Sequence, residues 1–196
     1  MREKLFVGIL FLFWMNAISA QIKVGITAGL NLSNNSYSGY NETSVNNSKA
    51  GFQAGIVADY SINEKFSILP EFVFTQLGSK GSKSYLRLNY LQLPVNYAYK
   101  FNIGNFSKLF VFAGPYIGLG LTAKLKTEEG NFLDVKFGST EDAYKPFDFG
   151  FNAGIGYQYN KIFLRIKYSR GLYNISHIKD SSLKNINLAI SAGYYF

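Results

Sequence analysis

Beyond residue 21 the chain repeats one pattern, an apolar side chain at every second position with glycine, serine, asparagine or a charge between. In the last stretch Ile186, Leu188, Ile190, Ala192, Tyr194 and Phe196 share one parity, and Asn185, Asn187, Ala189, Ser191, Gly193 and Tyr195 share the other. Successive side chains of a pleated backbone leave on opposite faces, so a period of two predicts strands. The same reading gives strands over 22–33, 50–62, 66–78, 85–101, 108–126, 147–159 and 162–169, with a terminal strand over 183–196. Polar stretches without periodicity over 33–49, 78–84, 127–146 and 174–182 are expected as loops, and Asn63-Glu64-Lys65, residues 102–107 and Asn160-Lys161 as short turns. In the fourth strand the apolar parity changes from Leu86, Leu88 and Tyr90 to Leu91, Leu93, Val95, Tyr97 and Tyr99, which predicts a β-bulge near Tyr90. Pro70, Pro94 and Pro115 predict further local bulges, because a closed sheet has no edge where a missing N–H is harmless.

Longer loops alternating with short turns predict an all-β fold, an eight-stranded antiparallel up-and-down transmembrane β-barrel with its apolar face toward lipid. Aromatic residues of the apolar set gather near strand ends: Tyr60, Phe66, Tyr97, Tyr99, Tyr157, Tyr159, Tyr194 and Phe196 by the turns, and Phe52, Phe74, Tyr90, Phe147 and Tyr168 by the loops. Such residues are expected as two interfacial girdles. A soluble ligand-carrying barrel would instead crowd them into a lumen that eight strands leave little room to fill. The chain ends on its apolar face, so Phe196 with Tyr194 is the expected assembly signal, with the barrel-assembly machinery as the partner that reads it.

Composition adjusts this picture in three places. Charged residues make up 16% of the chain, below the roughly 25% of a soluble domain, while 18 Phe, 15 Tyr and 19 Gly are present. The formal charge of +8 is spread along the chain, which argues against nucleic acid and for contact with anionic outer-membrane lipid and lipopolysaccharide. The absence of Cys excludes disulfides, thiolate metal sites and a lipid-modified cysteine. Residues 1–20 read as a signal peptide, with Arg2 and Lys4, an apolar run over 5–15, and small Ala17, Ser19 and Ala20 before a cut at Gln21, with a cut after Ser19 as the alternative because Ile18 is bulky for its place. That leaves residues 21–196 as the barrel domain, in the outer membrane with both termini periplasmic.

Four segments carry a family resemblance: Leu91-Gln92-Leu93-Pro94-Val95 with Tyr97 and Lys100; Phe112-Ala113-Gly114-Pro115-Tyr116-Ile117-Gly118; Asp148-Phe149-Gly150 with Ala153-Gly154-Ile155-Gly156; and Tyr168-Ser169-Arg170-Gly171-Leu172. The chain resembles the PorT-like outer-membrane β-barrel domain family over almost all of its mature length. The resemblance implies a small barrel of the OmpA/OmpX type without enzymatic activity, in a structural or accessory role that supports protein secretion or surface assembly with an envelope protein partner. It implies no catalytic residue and no cofactor.

Alternation sends Lys23, Asp59, Glu71, Lys124, Asp148, Arg165 and Lys167 into the lumen. Charges in a narrow barrel must pair or stay wet, so Asp59, Glu71, Asp148, Arg165 and Lys167 are expected as an interior charge network, with Glu71 or Asp148 partnering Arg165 or Lys167. Phe110, Phe112, Tyr116, Phe163 and Tyr195 share this inward parity and leave no room for a wide pore. Two alternatives remain, a narrow transport barrel for small solutes and a lipid-modifying enzyme using Ser176 and His177 near Asp180. Adjacent residues seldom have nucleophile–base geometry, and one His with scattered carboxylates is no metal-ligand set.

Overall fold

The computed structural model describes residues 22–39, 42–45, 47–80, 85–126, 132–135, 137–138, 144–177 and 181–196. The expected signal peptide over 1–20 lies outside them, as does Asp180. Among the described residues ten strands follow in chain order: β1 (Ile22–Gly39), β2 (Glu42–Val45), β3 (Asn47–Ser61), β4 (Phe66–Lys80), β5 (Tyr85–Asn102), β6 (Ser107–Lys126), β7 (Phe132–Val135), β8 (Phe147–Tyr159), β9 (Ile162–Gly171) and β10 (Ser182–Tyr195). Their lateral order is β10-β9-β8-β6-β5-β4-β3-β1, every pair antiparallel, and β1 pairs with β10 from Gly25↔Tyr195 to Ser38↔Ser182. That last pairing closes the sheet, so the eight long strands form a barrel without an open edge. The short β2 and β7 pair only with the loop-end halves of β1 and β6.

The period of two is realised as two faces. Leu30 is 73% exposed and its neighbour Asn31 is 1% exposed, which fixes the apolar set outward and the polar set inward. A soluble barrel with an apolar lumen is thereby excluded. Outward Ile56, Tyr97, Ile117, Phe147, Ile155, Ile190 and Phe196 form part of a belt of exposed large apolar residues that only hydrocarbon can cover at low cost.

The turns obey local chemistry. The Asn63 side chain accepts from the backbone N–H groups of Lys65 and Phe66, an Asx turn that folds β3 onto β4. Between β8 and β9 the turn needs one left-handed residue, and Asn160 takes it with φ 53°.

Three sequence expectations are corrected. The polar stretch over 33–49 is largely an extension of the barrel, since β1 continues to Gly39 and β3 begins at Asn47. Its strands carry no apolar alternation because Ser33, Asn34, Asn35 and Ser36 are polar on both faces. The bulge lies not in β5 but opposite it, in β6: Asn89 pairs with Thr122 and Tyr90 with Gly120, leaving Leu121 as the extra residue. β5 therefore keeps one parity throughout, and Leu86, Leu88 and Tyr90 all point inward and are buried. Tyr90 consequently belongs to the interior and not to the loop-end girdle.

The three prolines cause no register shift. Pro70 falls in a gap of the β3–β4 ladder, Pro94 in a gap of β4–β5 and Pro115 in a gap of β5–β6, and the register on both sides of each gap is the same. A missing donor costs a local pairing in one ladder, while each proline keeps its partner in the other: Pro70↔Val95, Pro94↔Tyr116 and Pro115↔Phe151.

Candidate functional site

The interior is the place where these strands bring chemistry together, and it is filled in layers. Toward the turn end Lys100 pairs with Asp59 at 2.5 Å. Around them pack two small apolar clusters, Val57 with Phe163 and Tyr195, and Leu69 with Ala98, Phe110 and Phe112. Lys100 shares the parity of Gln92 and Asn96, and that parity was the available sign that it lies inside.

In the next layer Glu71 is held by two cations. Arg165 donates to it from Nη1 at 2.8 Å and from Nη2 at 3.2 Å, a forked arrangement, while Lys167 Nζ lies 3.7 Å from Oε2. Asn96 donates to the same carboxylate at 3.2 Å and receives Asn152 at 3.4 Å. The guanidinium of Arg165 also lies 4.9 Å from the centre of the Phe163 ring.

Asp148 stands apart from both groups. One of its oxygens accepts from the Tyr116 hydroxyl at 3.1 Å and from Asn185 at 2.8 Å, and Asn185 in turn accepts from Asn35. Asp148 thus meets neutral donors and partners neither Arg165 nor Lys167. The register explains this: on β8 it sits level with the loop end of the barrel, while both cations lie on β9 nearer the turn end.

Above Asp148 the lumen turns apolar. Leu77, Leu86, Leu88, Tyr90, Ala123, Ile175 and Leu183 form one buried cluster, with Val135, Phe137 and Tyr144 packed against it. Ile175 and Tyr144 come from the segments after β9 and before β8, tied by the bridges Phe137↔Tyr144 and Tyr144↔Ser176. Burial there raises the Tyr144 hydroxyl above its ordinary range. This cap was not legible from periodicity, because single apolar residues in loops carry none.

Two expected interior charges lie elsewhere. Lys23 is exposed at the turn-end rim. Lys124 lies beyond the β6 bulge, where the parity of the strand is reversed, so it faces outward and meets Asp134 at 3.4 Å. Of the residues weighed for nucleophilic chemistry, the Ser176 hydroxyl lies 2.9 Å from that of Ser181, and Asp180 is outside the described residues. Phe196 keeps its ring exposed on the lipid face while its backbone N–H donates to Val24, and Tyr194 packs edge-on beside it at 5.9 Å.

A family model described as outer membrane protein beta-barrel domain matches residues 16–177. The chain belongs to that family. As an outer membrane β-barrel domain it is similar in structure to Ail of Yersinia pestis, with 18% identity over 89% of this chain and 98% of that one at a TM-score of 0.47. It is also similar to the Neisserial surface protein NspA, with 15% identity over 90% and 97% of the two chains at a TM-score of 0.49. The N-terminal barrel of Pseudomonas aeruginosa OprF is 9% identical over 87% and 97%, with a TM-score of 0.38. No curated protein sequence matches the chain.

Proposed function

We propose that this outer membrane barrel is sealed and non-enzymatic, with its termini in the periplasm and its working surface in the strands and loops beyond the loop-end girdle. The observation that carries the reading is the filled interior: paired charges at two levels, then Asp148 among neutral donors, then an apolar cap. A barrel of eight strands has little lumen beyond its own side chains, and here both ions and apolar groups occupy it. Reconstituted in a planar bilayer, the purified protein is expected to give no steps above baseline. Reproducible unitary conductance would overturn the sealed reading in favour of a narrow transport barrel.

The finer reading is an accessory role of the PorT-like type, serving protein secretion or surface assembly with an envelope partner, supported by the four sequence segments around Leu93, Phe112, Asp148 and Tyr168. Cross-linking in intact cells followed by purification of the barrel tests it. A reproducible, near-stoichiometric envelope protein supports the role, and recovery of the barrel alone argues against it.

Assembly supplies a further test. Residues 1–20 serve as the signal peptide in this reading, and Phe196 with Tyr194 as the signal read by the barrel-assembly machinery. Deleting Phe196 removes one backbone hydrogen bond and a lipid-facing ring, a small loss for a barrel already closed. The amount assembled in cells is therefore expected to fall several-fold while refolding in detergent stays unchanged. Equal losses in both settings would mean that Phe196 acts through stability and not recognition.

A further inference from the structure

The geometry points to a binding site on the outward face of β4, β5 and β6 for one phosphate-bearing lipid of the outer leaflet. The inference rests on the outer membrane orientation proposed above and names residues for one of its partners.

The register sets five outward rows across these three strands. From the loop end they are Lys80–Tyr85–Lys126, Gly78–Arg87–Lys124, Gln76–Asn89–Thr122, Phe74–Leu91–Leu119 and Phe72–Leu93–Ile117. Successive rows lie about 6.6 Å apart along the strands. The first two are cationic, the third is amide and hydroxyl, and the last two are apolar. A phosphorylated lipid has the same order from headgroup to acyl chain.

Each level has structure of its own. Three cations gather on one aromatic ring, with Lys49 Nζ at 5.9 Å, Arg87 Cζ at 5.9 Å and Lys126 Nζ at 5.8 Å from the centre of Tyr85. Lys49 comes from β3 and reaches this group across Gly78, whose missing side chain leaves its stem room. A ring face offsets little of the charge of an exposed cation, and like charges this close repel. Lys124 has Asp134, but among the described residues no carboxylate lies within salt-bridge distance of Lys49, Lys80 or Arg87. An anion supplied from outside the chain would relieve the crowding of Lys49 and Arg87. Below, Gln76 donates to Asn89 at 3.3 Å and Asn89 to Thr122 at 2.7 Å, a polar ledge at headgroup depth. Beneath the ledge lies a groove of about 150 Å³ lined chiefly by Phe72, Leu91, Leu93, Ile117, Leu119 and Phe147. A free anion has no use for that groove, which favours a lipid.

The test is native mass spectrometry of the barrel in neutral detergent, titrated with bisphosphorylated lipid A, with the same lipid stripped of phosphate, and with inorganic phosphate. One lipid A adduct is expected on the unaltered protein, weakening as salt is raised. In Arg87→Gln with Lys126→Gln the same adduct is expected to need roughly tenfold more lipid, the loss of about one charge-assisted hydrogen bond. Leu93→Asn is expected to weaken lipid A and leave inorganic phosphate unaffected. Equal binding of the dephosphorylated lipid overturns the site, as does undiminished binding by the double variant. Binding of inorganic phosphate as tight as lipid A replaces the lipid with a free anion and overturns the proposal as stated. Each protein is first checked for a mobility shift between unboiled and boiled samples, so a failure of the barrel itself is seen before any failure of the site.

Discussion

Gly154→Leu is expected to abolish the folded barrel, leaving boiled and unboiled samples at one mobility. Four inward aromatic rings stand directly opposite glycines on the neighbouring strand: Tyr116↔Gly150, Phe112↔Gly154, Phe110↔Gly156 and Phe163↔Gly193. A Cβ at Gly154 would run into both the Phe112 ring and the Ile166 carbonyl, one a bulky side chain and the other backbone of β9. Overpacking a core costs roughly 1–3 kcal/mol where neighbours can shift. Here they cannot, because the closed ladder fixes the circumference and Phe112 is already held between Phe110 and the Arg165 guanidinium. Ala153→Leu is the control, one residue away on the face that meets lipid. It is expected to fold normally, and equal folding of the two variants would show that the rings do not fill the lumen as described.

The second large effect is Glu71→Gln. This change keeps the shape but leaves Arg165 and Lys167 as two buried cations without their shared carboxylate. Breaking a buried pair from one side costs about 3–5 kcal/mol, because the surviving charge is uncompensated. Arg165→Met should cost less, since Glu71 retains Lys167 and the level becomes neutral. Lys167→Met should cost least, since the forked Arg165 contact is untouched. The expected order, read as the temperature at which the unboiled mobility is lost, is Glu71→Gln lowest, then Arg165→Met, then Lys167→Met. Combining Glu71→Gln with Lys167→Met should recover part of the loss. A reversed order would mean that water or a counterion, and not Glu71, neutralises the two cations.

How much of this was legible follows from what each residue faces. Ile186, Leu188 and Ile190 meet hydrocarbon on one side and a polar lumen on the other, so their alternation carried through to the strand bounds of β8, β9 and β10 within about two residues. Tyr90 misled because inward positions near the cap are apolar, so hydropathy could not tell lumen from lipid. The Leu121 bulge is a property of the β5–β6 pair, and neither strand shows it alone. Pro70, Pro94 and Pro115 predict bulges when each strand is taken alone, whereas each removes pairing from one ladder and keeps its partner in the other.

The candidate site divides in the same way. Parity alone sends Asp59, Glu71, Asp148, Arg165 and Lys167 inward, because a side chain's face depends only on its own strand. Which of them meet depends on the stagger between strands far apart in sequence: Glu71 and Arg165 are separated by 94 positions and lie 2.8 Å apart. Thus alternation, turn chemistry and aromatic placement, all local properties, determined the strand number, the lipid-facing side and five of the inward charges, but not the outward turn of Lys124 beyond the β6 bulge. The closure of β1 on β10, the pairing of Lys100 with Asp59, the separation of Asp148, the apolar cap and the gathering of cations on Tyr85 were decided by the tertiary structure. Those features join residues whose proximity exists only after the sheet has closed at one particular register.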